Sequence, residues 1–464
     1  MMNPHIFREY DIRGVADTDL TDETGFEIGR AYGTLVRRDK GTRVVLGRDA
    51  RLSGPRLHRA VGEGLVASGL EVLDLGAVPT PVLYFAEVHL ETDGGIQVTG
   101  SHNPAEYNGF KMTLRRASVY GLMIQGLREA IDERAFESGE GSLVPVDILE
   151  AYRAAVTGRI SLTRPPQIVI DAGNGIAGPT ARELLTELGC RVEALYCEPD
   201  GTFPNHLADP TVPAFMADLQ AAVTAGEAEL GIGFDGDGDR IGVVDRHGRL
   251  LFGDQLLAIY AADVLERLGE QKILFDVKCS QGLVEYIRAS GGVPHMWKTG
   301  HSLIKAEMKR SGVPVAGEMS GHMFFAEGWY GFDDAIYAAA RLLGILDRSN
   351  RPLDEMVAEI PAYASTPEIR VSCADEDKFG VVEQVRDRFL ARDDVEVVDI
   401  DGARVIFEDG WGLVRASNTQ PVIVLRFEGR DEAALERVRA EFTTVLRDFP
   451  SVAIADLTGG GSGH

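Results

Sequence analysis

Val44-Val45-Leu46-Gly47-Arg48-Asp49, Ile168-Val169-Ile170-Asp171-Ala172-Gly173 and Ile273-Leu274-Phe275-Asp276-Val277-Lys278 are three short β-rich runs that each end in a polar turn. They recur at a period of roughly 110 residues, too long for a solenoid repeat and suited to tandem domains. Each run is followed by an amphipathic helical stretch, as at 54–68 and 177–188, and then by a second, unusual loop. Apolar strands alternating with helices predict α/β layers with mixed, mainly parallel sheets. In such sheets ligands sit outside the carboxyl ends of the strands, where these loops fall.

The C-terminal part differs in style. From about residue 368 the pattern predicts a strand over 368–373, a helix over 378–390, strands around 395–405, 412–417 and 422–427, and a helix over 432–447. That order describes a smaller α+β domain. Linker-like composition at 137–142, 248–253 and 360–367 divides the chain into expected domains 1–145, 146–250, 251–362 and 363–458. The glycine-rich end, 459–464, reads as a flexible tail.

Length and charge narrow the function. A chain of 464 residues exceeds one hydrophobic core, and 44% hydrophobic with 26% charged residues is ordinary for a globular protein. A formal net charge of −25 repels polyanions, so neither nucleic acid nor an acidic membrane is an expected partner, and a site for an anionic substrate must be locally basic. Four cysteines without CxxC spacing suit a reducing compartment; with no apolar leader and no spanning run, the cytoplasm is the expected location.

Four loops carry chemistry. Thr99-Gly100-Ser101-His102-Asn103-Pro104, leading to Tyr107-Asn108-Gly109-Phe110-Lys111, exposes a serine in a tight turn that is either a nucleophile or a plain surface turn. It is not the Gly-x-Ser-x-Gly elbow of the hydrolases, since Asn103 follows His102. Asp235-Gly236-Asp237-Gly238-Asp239-Arg240 places three carboxylates at alternate positions, able to converge on one hard cation or forming a solvated acidic turn. An EF-hand is excluded by Arg240 at the loop position that needs glycine and Arg246 where a bidentate glutamate is needed. Apolar runs on both sides seat this loop between buried strands. Gly317-Glu318-Met319-Ser320-Gly321-His322 offers a carboxylate, a hydroxyl and an imidazole suited to sugar hydroxyls, or a structural turn. Arg415-Ala416-Ser417-Asn418-Thr419-Gln420-Pro421, followed by Arg426, offers guanidinium forks and turn hydroxyls suited to a phosphate cradle, or is a plain turn; the strand expected at 422–427 leaves no helix for it to cap.

With these four loops in order, and Phe7-Arg8-Glu9-Tyr10-Asp11-Ile12-Arg13-Gly14 ahead of them, the sequence resembles the α-D-phosphohexomutase superfamily, and within it the bacterial bifunctional phosphomannomutase/phosphoglucomutases. The resemblance implies three similar α/β domains and a smaller mobile fourth around a central cleft. It implies that Ser101 is phosphorylated in the resting enzyme and that Asp235, Asp237 and Asp239 hold one Mg²⁺ per chain, a phosphoserine oxygen at Ser101 being a further ligand. Glu318 and Ser320 are similar to the pair that grips sugar hydroxyls, and Arg415, Ser417, Asn418 and Thr419 to the distal phosphate loop. Tyr10, Arg13, Lys111, Arg240, Lys278 and His301 sit in segments similar to substrate-site segments. Met319 is similar to the mannose/glucose subgroup. The implied reaction interconverts hexose 1-phosphate and hexose 6-phosphate, mannose and/or glucose, through a hexose 1,6-bisphosphate, with glucose 1,6-bisphosphate as activator. Small phosphosugars are the implied partners, and the chain is expected to be a monomer or homodimer. Lys111, Arg240 and His301 would stabilise charge or relay protons, while Arg13, Lys278, Arg415 and Arg426 supply positive field. Two other classes fit the residues: a phosphotransferase with Asp235 as nucleophile, and a noncatalytic sugar-phosphate sensor.

Overall fold

The computed structural model describes residues 2–417 and 421–454. Four sheets follow one another along the chain. The three opening runs become the parallel strands Arg43–Arg48, Gln167–Asp171 and Lys272–Asp276, each near the middle of its own sheet. Their residues are buried on both faces, which explains why they read as continuous apolar runs rather than as alternation.

The first sheet runs Ile12–Val15, Tyr107–Leu114, Gly94–Val98, Arg43–Arg48, Glu71–Ala77 and Ser142–Pro145, with Ala117–Ser118 beside Tyr107–Leu114. The second runs Leu250–Leu251, Ile241–Asp245, Leu230–Phe234, Gln167–Asp171 and Arg191–Leu195; the third runs Val293–Trp297, Lys272–Asp276, Val315–Gly317 and Met323–Phe325. All three repeat one device. Parallel pairing in the middle gives way to an antiparallel hairpin, formed by Gly94–Val98 with Tyr107–Leu114, Leu230–Phe234 with Ile241–Asp245, and Val315–Gly317 with Met323–Phe325. The three turns of these hairpins are the Ser101, Asp235 and Glu318 loops.

The fourth sheet is antiparallel throughout, and its central hairpin, Gly410–Ala416 with Val422–Gly429, carries the Arg415 loop. The helices Lys378–Leu390 and Glu432–Leu446 cover it, within a residue of where the sequence predicts them. The strand expected around 395–405 is two strands, Glu396–Val398 and Ala403–Ile406, because Gly402 at φ +78° turns the chain between them. The linker composition at 137–142 runs into the edge strand Ser142–Pro145, and a division at 250/251 falls inside the two-residue strand Leu250–Leu251 of the second sheet.

One apolar core joins the first three sheets, including Val45 and Leu73, Ile168 and Ile232, and Phe275 and Val315. The fourth sheet has its own core around Val385, Leu425 and Phe442. Among the described residues no helix is long and apolar enough to cross a membrane, and the four cysteines are buried free thiols.

Candidate active site at the hairpin turns

Ser101 is buried and adopts φ +49°, a left-handed conformation costing a non-glycine residue on the order of 1 kcal/mol. Arg51 holds it there. Its guanidinium, fully buried and paired with Asp49, donates to the carbonyls of Ser101, Asn103, Pro104 and Tyr107, so one side chain ties the whole turn down. Gly100 is required by this arrangement, since a Cβ there would lie 2.4 Å from Arg51 Cζ. Thr99 Oγ1 donates to Asp49 Oδ2 (2.8 Å) and accepts from the Ser101 N–H (2.8 Å). The Ser101 hydroxyl then points across the domain boundary and donates to Asp235 Oδ2 at 2.9 Å.

In the acidic turn, Asp235 Oδ1 accepts the N–H groups of Gly238, Asp239 and Arg240 at 3.0, 3.0 and 3.1 Å, which curls the backbone around the carboxylate. Gly238 at φ +80° and Gly236, whose Cβ would strike the Ser101 carbonyl at 2.4 Å, make the curl and the close approach possible. All three aspartates are 0% exposed. Burial, and then Asp239 and Asp237, push the Asp235 carboxyl well above its usual range. Lys111 reaches over from the first sheet, donating to Asp237 Oδ2 at 2.8 Å and to Asp239 Oδ2. Burial opposes its charge, but the carboxylates outweigh that and hold the ammonium above its ordinary pKa; Lys111 in turn draws Asp237 below its range against the effect of burial.

Oxygens of Asp235, Asp237 and Asp239 lie within 4.8 Å of one another. Asp237 Oδ1 and Asp239 Oδ1 are buried with no hydrogen-bond partner among the described residues. Buried carboxylate oxygens left without a proton donor are costly, and an all-oxygen set at this spacing fits a hard divalent cation such as Mg²⁺.

The third turn faces the second. Arg240 pairs with His322 in an isolated bridge and donates from Nε to His322 Nε2 at 3.1 Å. Since arginine can only donate, the proton of a neutral His322 resides on Nδ1, which lies 3.1 Å from the buried Asp333 carboxylate. His301 stacks on His322 at 5.4 Å and lies 3.6 Å from the same carboxylate. Burial and Lys305 push His301 well below the usual imidazole pKa. Glu318 Oε1 accepts from the Gly300 N–H at 2.5 Å, and Ser320 is half-buried beside it.

The remaining predicted residues lie at the junction of the first, third and fourth sheets. Tyr10 donates to the Thr299 carbonyl at 3.1 Å, and Arg13 donates to Asn103 Oδ1 at 3.1 Å and Asp11 Oδ2 at 2.6 Å. Lys278 lies 3.4 Å from Glu368, and Arg415 Nε donates to Asp401 at 3.1 Å. Arg426 is buried, donating to the Lys278 carbonyl and to Glu428, so it braces the backbone of Lys278. Ser417 closes the fourth hairpin through its N–H to the Val422 carbonyl at 3.0 Å; Asn418, Thr419 and the tail 459–464 lie outside the described residues. Sequence reasoning missed Arg51, Asp333 and Thr80, whose hydroxyl donates to Asp237 Oδ2 at 2.5 Å, and read His322 only as an imidazole for sugar hydroxyls, not as a partner of Arg240 and Asp333. His322 stands within the third turn itself; the others carry no local signal, because only tertiary contact brings them to the loops.

Four domain families match the chain in order: phosphoglucomutase/phosphomannomutase alpha/beta/alpha domain I over residues 4–137, domain II over 150–248, domain III over 252–363, and the C-terminal domain over 368–445. The phosphomannomutase/phosphoglucomutase of Pseudomonas aeruginosa PAO1 is 48% identical over 446 residues, 96% of each chain. The phosphoglucomutase of Neisseria gonorrhoeae is 45% identical over 448 residues, covering 96% of this chain and 97% of its own. The crystal structure of a phosphoglucomutase/phosphomannomutase family protein from Burkholderia thailandensis superposes with a TM-score of 0.92 at 46% identity, covering 97% of this chain and 99% of that one. With its four domains matched in order and nearly half its residues shared with such relatives, the chain belongs to the phosphoglucomutase/phosphomannomutase family of α-D-phosphohexomutases.

Proposed function

We propose that the chain interconverts hexose 1-phosphate and hexose 6-phosphate, with mannose and/or glucose as the sugar, by way of a phosphate carried on Ser101 and a hexose 1,6-bisphosphate. The observation that carries this reading is the buried Ser101 hydroxyl, held left-handed by Arg51 and placed 2.9 Å from the acidic loop of a different sheet. A strained nucleophile pinned against charge-bearing groups is what phosphoryl transfer by positioning requires. The similar relatives named for phosphoglucomutase and phosphomannomutase activity support it.

Asp235, Asp237 and Asp239 hold Mg²⁺ in this reading, together with an oxygen of phosphorylated Ser101. The cation supplies charge neutralisation at the transferring phosphoryl group. In each half-reaction the bond from phosphorus to one oxygen breaks as the bond to another forms: Ser101 Oγ leaves while a sugar hydroxyl attacks, and after the bisphosphate has turned, the sugar oxygen leaves while Ser101 Oγ attacks. Lys111, Arg240, His301 and Arg13 surround this space, stabilising charge and relaying the hydroxyl proton. Glu318 and Ser320 take sugar hydroxyls; Tyr10, Lys278 and the loop with Arg415, Ser417, Asn418 and Thr419 take the phosphate that is not reacting, with Arg426 bracing Lys278. Asp235 is less suited to be the nucleophile, since both of its oxygens accept hydrogen bonds already. The segments 1–145, 146–250, 251–362 and 363–458 act as four domains, the last a lid over a cytoplasmic enzyme whose activator is glucose 1,6-bisphosphate.

The test is a coupled assay on glucose 1-phosphate and mannose 1-phosphate with trace glucose 1,6-bisphosphate. Wild type turns over at least one of them, and Ser101→Ala folds normally and loses turnover by about a thousandfold or more. A Ser101→Ala variant with wild-type turnover overturns the assignment.

A further inference from the structure

Gly236, between the first two aspartates of the acidic loop, is held by backbone from two sides. Its N–H donates to the Ala208 carbonyl at 3.1 Å, and its carbonyl accepts from the Ile176 N–H at 3.0 Å. The two gripping segments come from different parts of the second sheet's chain. Residues 172–176 turn out of the strand Gln167–Asp171, and 206–208 lie on the connection from the strand Arg191–Leu195 to the helix Ala217–Ala225. Neither is a regular element, so whatever fixes one against the other also fixes Gly236.

Two side-chain bonds join them. Asn205 Nδ2 donates to Asn174 Oδ1 at 2.8 Å, and His206 Nε2 lies 3.1 Å from Asp171 Oδ2, whose partner oxygen Oδ1 accepts the Gly173 N–H at 2.8 Å. The second bond depends on a proton. His206 Nδ1 lies 2.9 Å from the Leu207 carbonyl, which can only accept, so Nδ1 carries hydrogen; the carboxylate at Nε2 accepts too. Both nitrogens donate only in the imidazolium. The half-buried ring is also fixed in place: Phe215 stacks on it (6.1 Å, 13°), Tyr196 meets it edge-on (5.5 Å, 77°), and a Cβ at Gly173 would lie 3.0 Å from Cε1.

We propose that His206 is a positioning residue for the metal loop: as a cation it clamps the 206–208 segment to the turn after Asp171, and so holds Gly236 where the flanking carboxylates converge. Loss of its proton sets the Nε2 lone pair against the Asp171 carboxylate, and the clamp loosens. Asp171, Asp218 on the helix Ala217–Ala225, and Tyr196, whose hydroxyl donates to Asp218 at 2.8 Å, are the titratable groups facing the ring. Asp209, on the same segment, is taken up by Thr211, and Cys197 near Asp171 stays a thiol, since burial pushes it up to about 12. Burial opposes the charge on His206, but the bonds to Asp171 and the Leu207 carbonyl outweigh it and raise the imidazole above its ordinary value. The hold is therefore complete below about 6.5 and is lost as pH rises through the higher value of the folded chain. The effect on metal rests on the reading of Asp235, Asp237 and Asp239 as Mg²⁺ ligands; the clamp itself does not.

The first measurement is hydrogen exchange of the 235–240 peptide in chelator at about pH 6. His206→Gln is expected to speed its exchange about tenfold without changing peptides of the fourth sheet; equal exchange in variant and wild type overturns the clamp. The second titrates Mg²⁺ into the metal-free chain by calorimetry between about pH 6 and 9. The ratio of the His206→Gln Kd to that of wild type is expected to be about tenfold at the acid end and to close toward one at the other, because the groups common to both proteins cancel. Asp171→Asn sharpens the test. Its amide keeps an oxygen for the Gly173 N–H and donates to the lone pair of a neutral His206, so its affinity relative to wild type is expected to rise with pH. Ratios that stay constant with pH in both variants overturn the role of the proton. Exchange is read without metal, so a wild type that binds no Mg²⁺ overturns the metal reading and leaves the clamp to be decided by exchange.

Discussion

The first three sheets and the fourth are joined by different physics. Where the first three meet, the contact is aromatic and buried: Phe85 from the first stacks on Trp329 from the third (5.9 Å, 9°) and meets Tyr152 from the second edge-on (5.6 Å), while Trp329 stacks on Tyr337 at 4.5 Å. The fourth is joined mainly through directional polar contacts. Arg404 donates to the Val277 and Cys279 carbonyls at 2.7 Å each and lies over Trp411 at 3.6 Å; Glu428 accepts from Ser280 and Gln281; Asp401 accepts from the Thr299 N–H. Its apolar share is a small patch of Val277 against Trp411 and Leu413. A close-packed apolar junction fixes its partners in one arrangement, whereas hydrogen bonds between domains can be replaced by bonds to water once the domains part. The contrast divides the site: the Ser101, Asp235 and Glu318 turns share one apolar frame, and the Arg415 turn is tied to that frame mainly by polar contacts.

Breaking the rigid side has the largest expected effect. Phe85→Ala opens a cavity at the meeting point of three sheets and lowers stability by about 3–5 kcal/mol. Calorimetric melting is expected to shift downward for the first three domains together; a transition confined to one of them would mean that the core does not unite them.

Breaking the polar side comes next. Burial pushes the Arg404 guanidinium down to about 10, and its removal leaves two carbonyls unpaired. Arg404→Ala therefore costs about 2–4 kcal/mol, shared between the docking of the fourth domain and the lost contact with Trp411. The fourth domain is expected to become sensitive to limited proteolysis at temperatures where the other three stay resistant.

A smaller, pH-dependent effect belongs to the rigid side alone. Burial pushes Glu87 and Asp334 each up to about 7, and Asp334 accepts from Tyr152, Trp329 and the Tyr337 N–H inside the aromatic junction. Unfolded carboxyls release their protons near pH 4, so between about 4 and 7 the folded chain holds more protons than the unfolded one. The stability they contribute is therefore present at low pH and lost as pH rises through about 7. Glu87→Gln is expected to make the fall in melting temperature between about pH 4 and 7 shallower, since the proton that Glu87 holds only in the folded chain is removed.

The smallest effect sharpens the lid. Asp401 links Arg415 to the Thr299 backbone, so Asp401→Ala loosens the cradle without touching the Ser101 frame. Raised KM by about threefold to tenfold, with a raised requirement for glucose 1,6-bisphosphate, is expected in the coupled assay. An unchanged activator requirement would mean that the loop binds phosphate without retaining the intermediate.

Much of this was legible in the sequence. The buried strands announced themselves as apolar runs, and the helices of the last domain as amphipathic stretches, because both signals are local. So were the Asp235 loop and Ser101, since alternating aspartates with glycines and a serine behind a glycine are local patterns too. What stayed hidden depends on tertiary contact. Arg51 reads as one more surface arginine until the fold buries it under the Ser101 turn, and Asp333 gains meaning only when His322, His301 and Lys305 close around it. Nothing in the spacing of four unlike loops states that each is the turn of an equivalent hairpin. That equivalence is a property of sheet order.

In the proposed reaction Ser101 carries the phosphate that is exchanged with the sugar. The most direct measurement incubates the protein with glucose 1,6-bisphosphate labelled in its phosphates, digests it, and locates the label by peptide mass spectrometry. Label on the Ser101 peptide, discharged by added glucose 1-phosphate, is the predicted result. Label on Asp235, or a fully active enzyme that takes up none, would contradict the account.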